Sequence, residues 1–294
     1  MAWLQIALEL EKQQLEQHED ALLNAGALSI TYTDAADQPL LEPAPGETPI
    51  WQQVRLFGLF NDDTLPERIL LQLCVELNLA RPPAHQFELL EDRNWVRAWM
   101  DDYQPMQFGA QLWVCPTTLQ PPNPNAVNLR LDPGLAFGTG THPTTALCLS
   151  WLANADLEGK SVIDYGCGSG ILAIAALLLG AKQAQATDID PQALLATQSN
   201  AELNNVDSRL TCCLVEDFEA PKSDLVMANI LAGPLTELAP RLAALCTSGG
   251  QIILSGLLAE QAEEVRSVYQ PWFELSPTQQ QGEWILLHGL RHHA

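Results

Sequence analysis

The stretch that decides the fold of this 294-residue chain is Val162–Gly170, which reads VIDYGCGSG. It begins with short, β-branched apolar residues, as a buried strand does, and residues 171–179 follow with apolar helix formers. A strand that turns into a helix through three glycines lets a ligand approach the backbone closely, because no Cβ blocks it. Free N–H groups and the positive end of the helix dipole lie at the same place. The stretch therefore predicts a ligand site where a buried strand ends.

An acidic residue follows the glycine turn at a distance that suits a ribose. Asp188 lies 22 residues beyond Gly166 and closes an apparent strand, residues 184–187. An acidic side chain in this position accepts hydrogen bonds from a ribose diol. The glycines are spaced G-x-G-x-G, through Gly168 and Gly170, whereas a dinucleotide fingerprint has G-x-G-x-x-G. On these residues alone, the pocket fits either a nicotinamide cofactor or S-adenosylmethionine.

A polar residue closes a further predicted strand. Asn229 follows residues 224–228, and the carboxyl ends of parallel strands meet at one edge, so we expect Asn229 beside Gly166 and Asp188. An amide oxygen and a nearby carbonyl can accept both hydrogens of an amine and thereby aim its lone pair. A lysine amine, with a pKa of about 10.4, must be neutral to attack, and desolvation lowers that pKa. The alternative is an asparagine that only satisfies its own turn.

A glycine-spaced loop precedes another predicted helix. Residues 132–145 read DPGLAFGTGTHPTT, and we expect the helix to begin at Pro143. Such a loop can close over a ligand and exclude water. Thr145, in the first helical turn, is placed to bond to a ligand carboxylate there. His142 precedes the proline, and we interpret it as a capping residue rather than a base.

Three more residues have assigned roles. We expect Asp164 to brace the glycine turn from its strand, and Asp217 to reach an adenine amino group from the end of the next strand. Cys167 has no base beside it and is interpreted as a small turn residue. The chain has seven cysteines, an odd number, and none is in a C-x-x-C pair, which argues against a disulfide scaffold and a zinc site.

The element order differs between the two parts of the chain. Residues 1–90 show the order β-α-β-β-α-β, the ferredoxin-like arrangement of a small α+β domain. Residues 91–104 are expected to form a helical linker in which Trp95 and Trp99 share one face. From residue 105 to residue 294, strands alternate with helices, which predicts an α/β domain with a Rossmann-like parallel sheet.

The net charge of −22 limits the classes of partner. Residues 1–90 hold 4 basic and 14 acidic groups, and residues 91–294 hold 10 and 22. Such a surface repels nucleic-acid phosphates and attracts a basic protein. The alternative is that the charge only maintains solubility. With no apolar run of transmembrane length and no signal peptide, we expect a cytoplasmic protein, and nothing in the sequence requires more than a monomer.

Four motifs together resemble the bacterial ribosomal protein L11 methyltransferase (PrmA) family. They are DPGLAFGTGTHPTT (132–145), VIDYGCGSGILAIAA (162–176), TDIDP (187–191) and ANILAGPL (228–235). The resemblance implies a seven-stranded class I methyltransferase domain whose cofactor is S-adenosyl-L-methionine, with the last strand inserted antiparallel. It also implies that the ferredoxin-like domain recognises the substrate.

The resemblance assigns residues and a substrate as well. Thr145, Gly166, Gly168, Asp188 and Asn229 would contact the cofactor, and Asn229 would also be the catalytic residue. The substrate would be ribosomal protein L11, a basic protein of the large subunit, methylated on lysine side-chain amines and on its N-terminal amine.

Two other classes of protein use a similar fold. A nicotinamide-dependent oxidoreductase would bind its cofactor in the same pocket. Against it, the third glycine is one residue too early for the dinucleotide fingerprint, and the sequence has no obvious Tyr-x-x-x-Lys. A non-catalytic binding module would keep the cofactor fold without the reaction, and Asn229 argues against that reading.

Overall fold

The computed structural model describes residues 2–36, 50–91, 103–132, 138–219 and 221–293. The chain divides into two compact units, Met1–Ala98 and Trp99–Ala294. Nearly all of the predicted linker, with Trp95 and Trp99, lies outside the described residues, so its helical structure and the exact domain limits stay predictions.

The described residues of the first unit form a four-stranded antiparallel sheet and two helices. The strand order is β2-β3-β1-β4. Its elements are β1 (Ala2–Glu11), α1 (Leu15–Asn24), β2 (Ser29–Asp34), β3 (Gln53–Asn61), α2 (Pro66–Glu76) and β4 (His85–Glu91). This order of elements is the one expected from the sequence, while the ferredoxin-like class of the unit and its role in recognition stay predictions.

Alternation along β1 explains the core of the first unit. Leu4, Ile6, Leu8 and Leu10 are buried, whereas the residues between them are at least partly exposed. Because side chains alternate between the two faces of a strand, this pattern buries one face of the sheet. The buried leucines and isoleucine form one cluster with apolar residues of both helices, such as Leu22.

The second unit is built on an eight-stranded mixed sheet and a separate three-stranded sheet. The three-stranded sheet holds β5 (Met106–Phe108), β6 (Leu112–Cys115) and β7 (Val127–Arg130). The strands of the large sheet are β8 (Ser161–Tyr165), β9 (Gln183–Asp188), β10 (Leu210–Leu214), β11 (Ser223–Asn229), β12 (Cys246–Leu258), β13 (Phe273–Leu275), β14 (Gln279–Gln281) and β15 (Trp284–Arg291). The helices are α3 (Pro143–Leu152), α4 (Ile171–Leu178), α5 (Pro191–Leu203), α6 (Ala232–Glu237), α7 (Ala239–Leu245) and α8 (Ala262–Tyr269).

The strand order of the large sheet confirms the predicted class I methyltransferase fold. The order is β10-β9-β8-β11-β12-β15-β13, and β15 pairs antiparallel with both of its neighbours on this path. The pairs from β10 to β12 are all parallel. The eighth strand, β14, pairs with β15 alone among the described strands, and the sequence does not predict it, because its three glutamines carry no apolar alternation.

Apolar side chains cover both faces of the large sheet, in two buried clusters. Alternate residues of β8 divide between them, since Val162 belongs to one cluster, and Ile163 and Tyr165 belong to the other. In the described part of the chain, no helix has the length and apolar character needed to span a membrane.

Candidate active site

The register of the large sheet brings three predicted residues to one edge. Asp164 on β8 is paired with Ala186 on β9 and with Met227 on β11. Gly166, Asp188 and Asn229 lie two residues beyond these three, so they stand level at the carboxyl edge. Since neighbouring strands are about 4.8 Å apart, Asp188 and Asn229 are separated by about 10 Å across the glycine turn.

One cavity of about 500 Å³ opens at this edge. Its polar lining includes Gly166, Gly168, Asp188 and Asn229. The apolar side chains of the lining are those of Ile189, Val215, Ile230, Leu231, Pro234, Leu238 and Trp284. The remaining lining residues are His142, Thr144, Tyr165 and Gly256. An apolar pocket with a few convergent polar groups is the usual form of a small-molecule site.

The glycine turn needs glycine at its tip. Gly166 and Gly168 have φ angles of 78° and 54°, in the left-handed region where a side chain is strained. A Cβ on Gly166 would also overlap the side chain of Ile230. The turn is therefore closed to larger residues both by its backbone conformation and by its contact with the tip of β11.

Asp164 braces the helix that follows the turn. Its Oδ2 accepts a hydrogen bond from the backbone N–H of Ala173, 3.0 Å away, in the first turn of α4. The carboxyl is fully buried, and its Oδ1 has no hydrogen-bond partner among the described residues. Burial raises the pKa of Asp164 to about 7, the Ala173 hydrogen bond opposes the rise, and the charge of Asp188 adds to it.

Asp188 is fixed by two backbone donors. Its Oδ2 accepts from the N–H of Gly168 at 2.9 Å, and its Oδ1 accepts from the N–H of Asp190 at 3.0 Å. A carboxylate offers about four acceptor positions, so two remain for ligand hydroxyls. The half-buried side chain lies at the cavity wall, where a ribose diol would meet it.

Asn229 presents an unsatisfied acceptor. Its Nδ2 donates to Thr145 Oγ1 at 3.4 Å, while its Oδ1 is buried and has no hydrogen-bond partner in the described part of the chain. A buried acceptor without a partner is costly unless a ligand supplies the missing donor. The amide of Asn229 is thus anchored on one side and able to accept on the other.

Thr145 lies behind Asn229 instead of in the cavity lining. Its side chain is fully buried, with an exposed fraction of 0%. The hydroxyl accepts from Asn229, so this residue holds the amide in place. Its predicted contact with a ligand carboxylate stays a prediction.

His142 caps α3, as its position before Pro143 indicates. Its Nδ1 accepts from the N–H of Thr144 at 3.3 Å, and its ring packs edge-on against Trp284, with centroids 4.9 Å apart. Burial lowers the pKa of His142, which favours the neutral ring that a cap requires. Asp217 is exposed and outside the cavity lining, so its predicted contact with adenine stays a prediction.

Several lining residues lie outside the predicted set. Gly256 sits at an irregularity of β12 with a φ of 88°, and a Cβ there would overlap the backbone of Ile230. Trp284 is the first residue of β15, the strand that pairs antiparallel with β12. Neither carries a local signal of function, since a glycine in an apolar strand indicates only a bulge or a close approach.

Comparison with known proteins assigns the chain to a family. The family described as "Ribosomal protein L11 methyltransferase (PrmA)" matches residues 2–292. The chain belongs to this family. It is 53% identical over 292 residues to the "Ribosomal protein L11 methyltransferase" of Azotobacter vinelandii, with 99% of this chain and 100% of the relative covered. The protein of the same name from Pseudomonas paraeruginosa is 52% identical, with 99% of each chain covered.

A solved structure agrees with this assignment. The ribosomal protein L11 methylase from Lactobacillus delbrueckii subsp. bulgaricus is 36% identical and superposes with a TM-score of 0.59, covering 65% of this chain and all of its own. The prediction of a class I methyltransferase is confirmed, and with it S-adenosyl-L-methionine as the cofactor. The oxidoreductase alternative has no support among these relatives.

The residues present fit that cofactor. The glycine cradle admits no Cβ at Gly166, and the Asp188 carboxylate has acceptor positions to spare. Asn229 Oδ1 receives no hydrogen bond from the residues that the structure describes. The apolar walls around them suit the flat adenine ring.

Proposed function

We propose that this protein transfers methyl groups from S-adenosyl-L-methionine to amines of ribosomal protein L11, both on lysine side chains and at its N-terminus. Family membership supports the reaction and the substrate. The observation that carries the chemistry is the buried Oδ1 of Asn229, which has no donor within the described ranges and stands level with Asp188 across the glycine turn.

Each side of the cavity has its own task in this proposal. The Asp188 carboxylate accepts hydrogen bonds from the ribose, and the turn at Gly166 and Gly168 lets the nucleoside approach the backbone. Val215 and Leu238 provide apolar contacts on the same cavity. When bound, the cofactor supplies a methyl group on a sulfonium, which a neutral amine can attack.

Asn229 orients the amine. Its Oδ1 accepts an amine hydrogen, and Thr145 prevents the amide from turning away. Fixing the nucleophile in line converts an encounter between two molecules into a reaction within one complex. The apolar walls lower the pKa of a lysine amine, so the neutral form is available without a strong general base.

The acidic surface suits the proposed substrate. A net charge of −22 attracts a basic ribosomal protein over distances of about 10 Å at moderate salt. The same charge disfavours direct binding to nucleic acid. We place the protein in the cytoplasm, because its proposed substrate is a component of the ribosome, and we propose a monomer, because residues of one chain line the cavity.

Labelled cofactor tests the proposal. The protein is incubated with methyl-labelled S-adenosylmethionine and a mixture of ribosomal proteins and ribosomal RNA, which are then separated. We expect the label on amines of L11. Label in RNA alone, or on carboxylates, would contradict the proposal. Calorimetry that shows tight nicotinamide binding and no S-adenosylmethionine binding would contradict it at the level of the cofactor.

A further inference from the structure

An exposed arginine holds the cavity wall from outside. Arg241 lies on α7, and its Nη2 donates to the backbone carbonyls of Val215 and Phe218, each at 3.2 Å. Its guanidinium carbon stands 5.6 Å from the centroid of the Tyr165 ring. A single side chain therefore joins α7, the turn after β10 and the tip of β8.

The turn held by Arg241 is part of the cavity. Leu214, the last residue of β10, is paired with Asp188 on β9, so Val215 begins the wall next to that carboxylate. Residues 215–217 form one turn of 3-10 helix, which closes with a hydrogen bond of 3.4 Å from the Phe218 N–H to the Val215 carbonyl. The two hydrogen bonds donated by Arg241 add to this closing bond and tie the turn to α7.

Tyr165 links the arginine to the glycine turn. It directly precedes Gly166, lines the cavity and is only 3% exposed. The ring of Phe218 meets it edge-on, with centroids 6.0 Å apart and planes at 90°. The Arg241 guanidinium lies over the Tyr165 ring and donates to the Phe218 carbonyl. The two aromatic residues and Val215 are therefore held together beside Asp188.

We propose that Arg241 is a positioning residue for the cofactor. Without touching the cofactor, it sets the Val215 and Tyr165 walls at the Asp188 end of the cavity and thereby determines cofactor affinity. Asn229 is on the far side of β8, so the methyl-transfer step is left unaffected. The inference rests on the proposed function, because it assumes that the Asp188 end receives the nucleoside.

Arginine suits this task better than lysine. Its planar guanidinium can donate to two carbonyls while stacking over an aromatic ring, whereas an ammonium has one nitrogen and no flat face. A positive charge alone is therefore insufficient to hold the cavity wall. Arg241→Lys should retain only part of the cofactor affinity that Arg241→Met loses.

Arg209 provides a matched control. It is also exposed in the second unit, and its Nη1 donates to two backbone carbonyls, those of Leu177 at 3.1 Å and Ala181 at 2.8 Å. Neither carbonyl belongs to a cavity residue. Arg209→Met thus removes the same chemistry from a site that should not influence the cofactor.

The experiment is calorimetric titration of the wild type and the three variants with S-adenosylmethionine, together with kcat on L11 at saturating cofactor. We expect Arg241→Met to raise the Kd about 10-fold, as loss of one or two hydrogen bonds would. Its kcat should stay within about two-fold of wild type. The Kd of Arg241→Lys should lie between those of the wild type and Arg241→Met. Arg209→Met should leave the Kd unchanged.

Other outcomes overturn the inference. Equal Kd values for Arg241→Met and Arg209→Met would refute it, as would a lower kcat with an unchanged Kd. If Arg241→Met does not fold, Arg241→Lys decides, and a wild-type Kd in that variant refutes the inference. A wild type that does not bind S-adenosylmethionine contradicts the proposed function itself, which is a separate result.

Discussion

At the scale of single residues, Asp164, Asp188 and Asn229 lie on three neighbouring strands but differ in environment. Asp188 is half-buried and accepts hydrogen bonds from two N–H groups, and Asp164 is fully buried. Asn229 has a buried oxygen to which no described residue donates. Asp188 and Asn229 stand level at the carboxyl edge and are distinguished by their hydrogen-bond partners, while Asp164 lies two residues further inside the sheet. Each environment leads to a different measurable effect of substitution.

Asp188→Ala should weaken S-adenosylmethionine binding by about 1.5–3 kcal/mol, or about 10- to 150-fold in Kd, because it removes a charged acceptor. Calorimetry measures the change. Asp156→Ala is the control, since Asp156 is an exposed carboxylate that accepts from the Glu158 N–H and is outside this cavity. Equal affinities of the two variants would remove Asp188 from the ribose site.

Asn229→Ala should lower kcat by about 10²-fold while changing the cofactor Kd much less, since its acceptor acts on the reacting amine. Single-turnover methylation of L11 and calorimetry of the same sample give the two quantities. Equal losses in both would make Asn229 mainly a cofactor-binding residue.

Asp164 should make the stability of the cofactor-free protein depend on pH. Its pKa rises from an ordinary 3.8 to about 7 on folding, so between these values the folded state binds more protons than the unfolded state. Stability from this group is full below about pH 4 and is lost as pH rises to about 7. Asp164→Asn should remove this dependence, which urea unfolding at pH 5, 6, 7 and 8 measures. Parallel curves for variant and wild type would contradict the burial argument.

At the scale of elements, the tips of β8 and β12 enclose the tip of β11. Ile230 contacts Gly166 on one side and Gly256 on the other, and both glycines have positive φ. The glycine turn thus does more than admit a ligand, because it also lets the strand that carries Asn229 pack closely. The irregularity of β12 at Gly256 serves the same packing.

Gly256→Ala should lower both stability and kcat, because a Cβ would overlap the Ile230 backbone next to Asn229. Gly282→Ala is the control: its φ of 63° is also positive, but no atom of the described residues lies within 4 Å of the added Cβ. The control should cost about 1 kcal/mol from backbone strain and leave kcat unchanged. Urea unfolding and steady-state kinetics compare the two, and equal effects would exclude a packing role for Gly256.

Local signals explain what the sequence could predict of the site. Gly166, Asp188 and Asn229 each lie at the end of a strand that the local sequence predicts. Parallel pairing then brings these strand ends to one edge of the sheet. Gly256 and Trp284 depend on how β12 and β15 pair, which is decided by contacts between distant segments. Thr145 was correctly placed in the first turn of its helix, but its side-chain direction depends on packing against Asn229.

At the scale of the whole molecule, the acidic charge and the proposed basic substrate belong together. Both parts of the chain are acidic, so the attraction does not depend on one local patch. Fields of this kind mainly raise the rate of encounter and are screened by salt. The reaction at the strand tips, in contrast, is enclosed by apolar walls and is much less exposed to salt.

Raising the salt concentration from about 0.05 M to 0.5 M should therefore raise the KM for L11 several-fold and leave kcat and the cofactor Kd nearly unchanged. Steady-state kinetics with purified L11 measure this. A KM that does not respond to salt would mean that the charge is incidental to recognition.

The central claim is that the tips of β8, β9 and β11 hold S-adenosylmethionine and present its methyl group to an amine of L11. The most direct test is peptide-resolved mass spectrometry of purified L11 after incubation with this protein and the cofactor. We predict mass gains in multiples of one methylene on lysine-containing peptides and on the N-terminal peptide, which are strongly reduced with Asn229→Ala at the same incubation time. An unmodified L11, from a protein that binds S-adenosylmethionine and is folded, would contradict the claim.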